Sequence, residues 1–135
     1  MITEAEAKKQ FSRAITRRDS NDYQGALQLL LPLDKSLGTN VRFLAVLGQV
    51  HWELGEYPEA VLTFERAVAL SPEYEAVSMG LFHSLLRLER VDDAFNEMRR
   101  FLSLSDSENY RALVREINRA NDVDFDGEEN SRPTK

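Results

Sequence analysis

Carboxylates at alternate positions near the C-terminus have the spacing that begins a calcium-binding loop. Asp122, Asp124 and Asp126 are followed directly by a glycine, and such a loop begins with oxygen ligands at alternate positions and a glycine at the sharp turn. Its twelfth position must hold a bidentate glutamate, but here that residue is Pro133, and Glu129 stands where an apolar residue is needed. We therefore interpret the stretch as a solvated acidic tail and predict no metal site.

Two histidines are the other residues that could ligate a metal or act as a general base. His51 falls on the packing face of its predicted helix, where a histidine hydrogen-bonded within the fold is commoner than a metal ligand. His83 lies on a different stripe, and no cysteine or close pair of carboxylates completes a metal set with it. The chain also has no glycine-rich phosphate loop and no nucleophile–base pair. We predict no catalytic residue, no cofactor and no enzymatic activity.

The middle of the chain carries a strong helical pattern. Leu44, Leu47 and His51 recur at the spacing of one helix face. Gly55 suits a left-handed helix end, and Pro58 suits the first turn of the next helix. That next helix has an apolar face of its own, and a proline stops it. The pattern predicts two helices joined by a tight turn.

The same turn recurs at a fixed period. Ala26, Ala60 and Ala94 stand at one constant interval along the sequence, and each follows a turn. A lone helical hairpin cannot bury its apolar face, so regular copies indicate a stack. The pattern resembles the tetratricopeptide repeat (TPR), in which two antiparallel helices occupy about 34 residues. Pro32 should bend or end the second helix of the chain.

The resemblance implies an all-α fold, an α-α superhelix of three TPR helical hairpins plus a C-terminal capping helix, with seven helices in all. The predicted TPR domain spans residues 1–120, with repeats at about 7–40, 41–74 and 75–106 and the capping helix at about 108–120. Residues 121–135 hold five acids and only two apolar residues, so we expect a disordered acidic tail.

In TPR arrays the first helix of each hairpin lines a concave groove, so the resemblance also implies a binding surface. The predicted groove residues are Phe11, Ile15, Arg18, Arg42, Ala45, Gln49, Trp52, Met79, His83 and Arg87. They mix aromatic, apolar and cationic side chains without acids, a composition typical of protein interfaces. We expect a peptide or amphipathic helix of a protein partner to insert between Phe11, Trp52 and Met79, with the arginines pairing with its acidic residues.

One subclass of TPR proteins grips the acidic C-terminal tails of heat-shock chaperones with a clamp of lysines, asparagine and arginine. The equivalent positions are here Phe11, Ile15, Val46, Ala76 and Gly80. None of these side chains can hold a carboxylate. The sequence therefore predicts a groove for a different kind of ligand.

Composition limits the partners and the cellular location that this chain can have. The chain has 135 residues, no cysteine and a net charge of −6. Net negative charge argues against nucleic-acid binding, which depends on neutralising phosphates. The N-terminus has no signal pattern, and no apolar run reaches membrane-spanning length. We expect a cytoplasmic protein without a membrane or nucleic-acid partner, either a monomer or a weak homo-oligomer.

Several roles fit these expectations. The favoured one is a non-catalytic adaptor or scaffold that binds a partner in the groove. A small dedicated chaperone, or an immunity or inhibitor-type protein that shields one cognate partner, is an alternative. A self-associating module, in which the basic first helix pairs with the acidic tail, is another. A calcium-regulated switch would require the tail to bind metal, and the tail could also occupy its own groove.

Overall fold

The structure, a computed structural model, describes residues 2–126, with side chains described as far as Asn121. A 3₁₀ turn at Leu31–Leu33 joins the second helix to the third. The α-helices are α1 (Glu4–Asp19), α2 (Tyr23–Leu30), α3 (Asp34–Leu37), α4 (Val41–Glu53), α5 (Tyr57–Leu70), α6 (Glu75–Arg87), α7 (Val91–Leu104) and α8 (Glu108–Asp126). All regular structure in the described residues is helical, which confirms the predicted all-α class.

Consecutive helices pack as three hairpins: α1 with α2, α4 with α5, and α6 with α7. The hairpins stack because α2 also packs on α4, and α5 packs on α6. One continuous apolar core runs through the stack, and Tyr110 at the start of α8 is fully buried in it. The predicted superhelix of three hairpins and a capping helix is therefore confirmed, and the short helix α3 is additional to the seven helices predicted.

The end of the first helix in each hairpin is set by one residue with a left-handed backbone. Asn21, Gly55 and Glu89 have φ angles of 64°, 76° and 61°, and they stand at the same constant interval as the alanines of the turns. Glycine adopts this conformation freely and asparagine tolerates it, whereas glutamate adopts it less readily. Because the same conformation recurs at the same position, each hairpin reverses direction in the same way.

The capping helix is longer than predicted. The position that corresponds to Gly55 and Glu89 is here Val123, a β-branched residue that strongly disfavours a positive φ. Helix α8 accordingly continues to Asp126, beyond the expected end at residue 120. Residues 127–135 lie outside the described part of the chain, as do the disorder predicted for them and the alternatives in which the tail binds calcium or occupies the groove.

The second helix is interrupted at the predicted place. Helix α2 ends at Leu30, and Pro32 lies in the 3₁₀ turn, because proline has no N–H to continue the helix. Arg66 of α5 anchors the short helix α3 through two hydrogen bonds to the Asp34 carboxylate, at 2.7 and 3.2 Å. None of the helices in the described range is long and apolar enough to cross a membrane.

Candidate partner-binding groove

A groove of about 590 Å³ opens where the first helices of the three hairpins meet. Its walls come from α1, α4 and α6, with single contributions from α5 and from the residue before α6. The lining residues are Arg18, Arg42, Ala45, Val46, Gln49, Trp52, Phe64, Tyr74, Ala76, Gly80 and His83. Six of these eleven belong to the set predicted from the sequence, and none of the eleven is a carboxylate.

The floor of the groove is built around one aromatic ring from a second helix. Phe64 belongs to α5, yet its ring reaches between α4 and α6 because both helices carry a glycine beside it. A Cβ atom at Gly48 would lie 2.7 Å from the Phe64 ring, and one at Gly80 would lie 2.5 Å from it. Val46 and Ala76 complete an apolar floor. Phe64 is absent from the groove residues predicted from the sequence, and the glycines on both neighbouring helices were the signal that could have indicated it.

Three predicted groove residues are less available than expected. Phe11 is only 8% exposed, because its ring packs 5.7 Å from that of Phe43 and lies under the Arg42 guanidinium. Ile15 and Met79 are half-buried against the core and do not line the cavity. Of Phe11, Trp52 and Met79, only Trp52 lines the cavity, together with the apolar residues Val46, Phe64 and Ala76. Insertion of a partner between the three residues stays a prediction, and Phe64 shows only its ring edge to the cavity, at 5% exposure.

Three arginines surround the groove, and two of them stack on aromatic rings. Arg18 is engaged already, since its guanidinium donates to Gln49 Oε1 at 3.1 Å and pairs with Asp19 at 2.9 Å. The Arg42 guanidinium lies 5.3 Å from the centroid of the Phe11 ring. The predicted groove residue Arg87 does not itself line the cavity; its guanidinium lies 5.3 Å from the ring of the lining residue Trp52 and 5.1 Å from the ring of Tyr57.

The stacked arginines differ from Arg18 in their ion pairs. The ion pairs among the described side chains include neither Arg42 nor Arg87. Trp52 adds a second unsatisfied group: its indole Nε1 is buried and has no hydrogen-bond partner within the described residues. A buried donor of this kind costs about 1–3 kcal/mol until an acceptor reaches it.

The two histidines differ as the sequence suggested. His51 is buried, and its Nδ1 lies 2.7 Å from Glu56 Oε1, so it acts as a packing residue. His83 lines the groove and is half-buried, with its ring 5.3 Å from that of Phe82. Burial lowers the pKa of His83, so the imidazole is neutral near pH 7. The described residues include no cluster of three His, Cys, Asp or Glu side chains that could hold a metal ion.

The fold and its groove define a TPR superhelix, and comparison with known proteins gives the same class. Residues 41–74 match the model of the tetratricopeptide repeat family, the range predicted for the middle repeat. The predicted resemblance is thus confirmed: these residues form a tetratricopeptide repeat in a chain with the TPR fold. No curated protein matches the chain in sequence.

Solved structures similar to this one are also TPR proteins. The first TPR of Spaghetti (RPAP3), bound to the HSP90 peptide SRMEEVD, has a TM-score of 0.75 at 16% identity, over 88% of this chain and 95% of that one. The Yersinia enterocolitica type III secretion chaperone SycD, in complex with a peptide of the translocator YopD, has a TM-score of 0.72 at 14% identity, over 86% and 89%. A MamA mutant has a TM-score of 0.69 at 22% identity, over 75% and 74%.

Proposed function

We propose that this protein is a non-catalytic interaction module that binds a segment of a protein partner in its groove. The observation that carries the proposal is the groove itself. It has an apolar floor around Phe64, a described lining without carboxylates, and arginines at its edge that pair with no described carboxylate. Apolar surface with aromatic and arginine residues is what protein interfaces enrich. Two of the structurally similar proteins hold peptides, which supports a peptide as the ligand.

The floor indicates which kind of peptide the groove accepts. Val46, Ala76 and Gly80, at positions where a carboxylate clamp would stand, line the groove. None of them offers a donor from its side chain. An acidic tail such as the peptide held by the RPAP3 repeat would find no clamp there. The geometry instead supports insertion of apolar side chains of the partner, with acidic residues at the edges of the groove.

The test is capture of the partner from the native cell extract by wild type and by Trp52→Ala with Arg42→Glu. We expect one protein to be enriched by the wild type and lost with the double variant, because the variant removes the aromatic wall and reverses a charge. Leu62→Ala with Arg99→Glu, both exposed and on the second helices α5 and α7, is the matched control and should retain the partner. Circular dichroism should show equal helicity for all three proteins. If the double groove variant retains the same proteins as wild type, the proposal is wrong.

A dedicated chaperone is the second candidate. The similarity to SycD extends over 86% of this chain and 89% of the chaperone, and a chaperone would use the same groove to shield its partner. The capture experiment separates the two roles. An adaptor's partner stays soluble when the protein is withdrawn, whereas a chaperone's partner aggregates or is degraded.

The self-associating alternative has less support. Three of the cations in α1 form ion pairs with acids nearby in the chain. Lys8 lies 3.4 Å from Glu4, Arg17 lies 2.8 Å from Asp22, and Arg18 pairs with Asp19. Exposed pairs of this kind are weak, but they reduce the net positive charge that α1 presents to an acidic tail.

A further inference from the structure

Arg42 and Arg87, which form no ion pair among the described residues, stand towards opposite ends of the groove. Arg42 is the second residue of α4, and Arg87 is the last residue of α6. Arg87 lies over Trp52, which is ten residues beyond Arg42 in the same helix. With a rise of about 1.5 Å per residue, the Cα atoms of Arg42 and Trp52 are about 15 Å apart along the helix axis, and the two cations lie towards these two ends.

The aromatic rings hold these guanidinium groups in place. Arg42 rests on Phe11, while Arg87 rests on both Trp52 and Tyr57, whose rings are 5.8 Å apart. Stacking occupies a face of the guanidinium and leaves its N–H groups at the edge, where they can donate to a carboxylate in bidentate fashion. Each end of the groove is thus a prearranged position for one carboxylate.

A polar group between the two ends, the Gln49 side chain, favours an extended ligand over a helical one. Gln49 is exposed, and because its Oε1 accepts from Arg18, its amide nitrogen is left to donate. An extended segment carries a free backbone carbonyl at each residue, whereas a helix uses its carbonyls for internal hydrogen bonds.

We propose that the groove selects an extended segment of a partner protein with two acidic residues four positions apart and an apolar residue midway between them. Four residues of extended chain span about 13 Å, and their side chains alternate between two faces, so the acids and the middle residue point the same way. The acids meet Arg42 and Arg87, and the middle residue meets the floor at Phe64. This inference rests on the proposed function and specifies its ligand.

Short acetylated and amidated peptides test the inference on the full chain. The central sequences to compare are Glu-Ser-Leu-Ser-Glu, its glutamine version Gln-Ser-Leu-Ser-Gln, its polar version Glu-Ser-Ser-Ser-Glu, and Glu-Ser-Leu-Glu, which brings the acids one residue closer. Trp52 is the only tryptophan, so its indole NMR signal and its fluorescence report occupation of the groove. We expect the first peptide to bind about tenfold more tightly than each of the others.

Variants of the protein test whether the peptide's carboxylates contact Arg42 and Arg87. Arg42→Gln and Arg87→Gln should each lower the affinity for the first peptide by about tenfold, because each removes one charge-assisted pair. Each should leave the affinity for the glutamine peptide unchanged. Arg99→Gln, a neutralised exposed arginine on α7, is the matched control and should change neither affinity.

Three results would overturn the inference. If the glutamine peptide binds as tightly as the first, or if the arginine variants bind the first peptide normally, carboxylates are not recognised, and the proposed function stands with a different ligand. If the shorter spacing binds equally well, the two-ended geometry is wrong. If no peptide changes the Trp52 signals, the inference fails, and the capture experiment with the native partner then decides the proposed function independently.

Discussion

Gly48 and Gly80 enclose the ring of Phe64 from the two sides of the groove floor. A side chain at either glycine would overlap the ring, since the added Cβ would come within 2.7 Å or less of it. Both glycines lie within helices, where glycine is unfavourable by about 1 kcal/mol relative to alanine. The Phe64 ring therefore requires glycine at both positions, although alanine there would favour the helix more.

Gly80→Ala should therefore lower the free energy of unfolding by about 1–3 kcal/mol, because overpacking outweighs the gain in helix propensity. Urea denaturation followed by circular dichroism measures this. Adding Phe64→Leu to the Gly80→Ala variant should recover part of this loss. In a double-mutant cycle, the two changes together should therefore cost less stability than the sum of their separate costs. Gln28→Ala, at an exposed position of α2, should change stability by less than about 0.5 kcal/mol. Unchanged stability of Gly80→Ala would mean that the ring moves aside freely.

At the scale of elements, a buried chain of hydrogen bonds attaches the capping helix to the last hairpin. Ser78 Oγ of α6 donates to Glu97 of α7 at 2.7 Å and lies 2.8 Å from the Tyr110 hydroxyl of α8. Arg100 donates twice to the Glu97 carboxylate, at 2.9 and 2.6 Å. Because Ser78 gives its proton to Glu97, the Tyr110 hydroxyl must donate to Ser78. Removal from water raises the pKa of Tyr110 to about 12, from an ordinary value of 10.0.

The raised pKa makes the attachment of α8 sensitive to alkali. A tyrosine with a higher pKa in the folded state keeps its proton while the unfolded chain loses it, so stability is intact below pH 10 and falls as pH rises towards 12. Between about pH 9 and about pH 11.5, wild type should lose about 2 kcal/mol more stability than Tyr110→Phe. Chemical denaturation of both proteins at the two pH values measures the difference. Equal losses of stability would show that folding does not raise the pKa of Tyr110.

For the whole molecule, the outer face of α8 determines where the stack ends. Arg115, Glu116 and Arg119 are exposed, and Arg119 pairs with Glu116 at 2.8 Å. The equivalent positions one repeat earlier hold the buried apolar residues Leu81, Phe82 and Leu85. A further hairpin would find charge where α7 finds an apolar face, so α8 acts as the polar cap that a solenoid needs.

Arg115→Leu with Arg119→Leu should turn this polar end of the stack into a surface that self-associates. Apolar residues on a flat terminal face favour association with a second copy, so we expect a larger mass for the variant than for wild type at equal concentration. Sedimentation equilibrium over a wide range of concentrations measures it. Lys35→Leu with Arg99→Leu places two leucines at separated exposed sites and should leave the mass unchanged. An identical mass for the cap variant and wild type would contradict the role given to these charges.

The sequence by itself determined the helices, the period of the hairpins and six residues of the groove lining. These depend on local signals: apolar spacing along one helix, a left-handed or proline residue at each turn, and copies of both at one fixed period. The length of α8 was open to the same reasoning, because the valine at the corresponding turn position argues against a reversal there.

Only the tertiary structure decided which side chains reach the groove and which face the core. Phe64 enters it from a second helix, Phe11 is buried beneath Arg42, and Arg87 spans from α6 to the rings of Trp52 and Tyr57. Each of these contacts joins residues that are far apart in the sequence, most of them by roughly one repeat. They depend on the angle and distance at which whole helices cross, which the side chains of both partners set together.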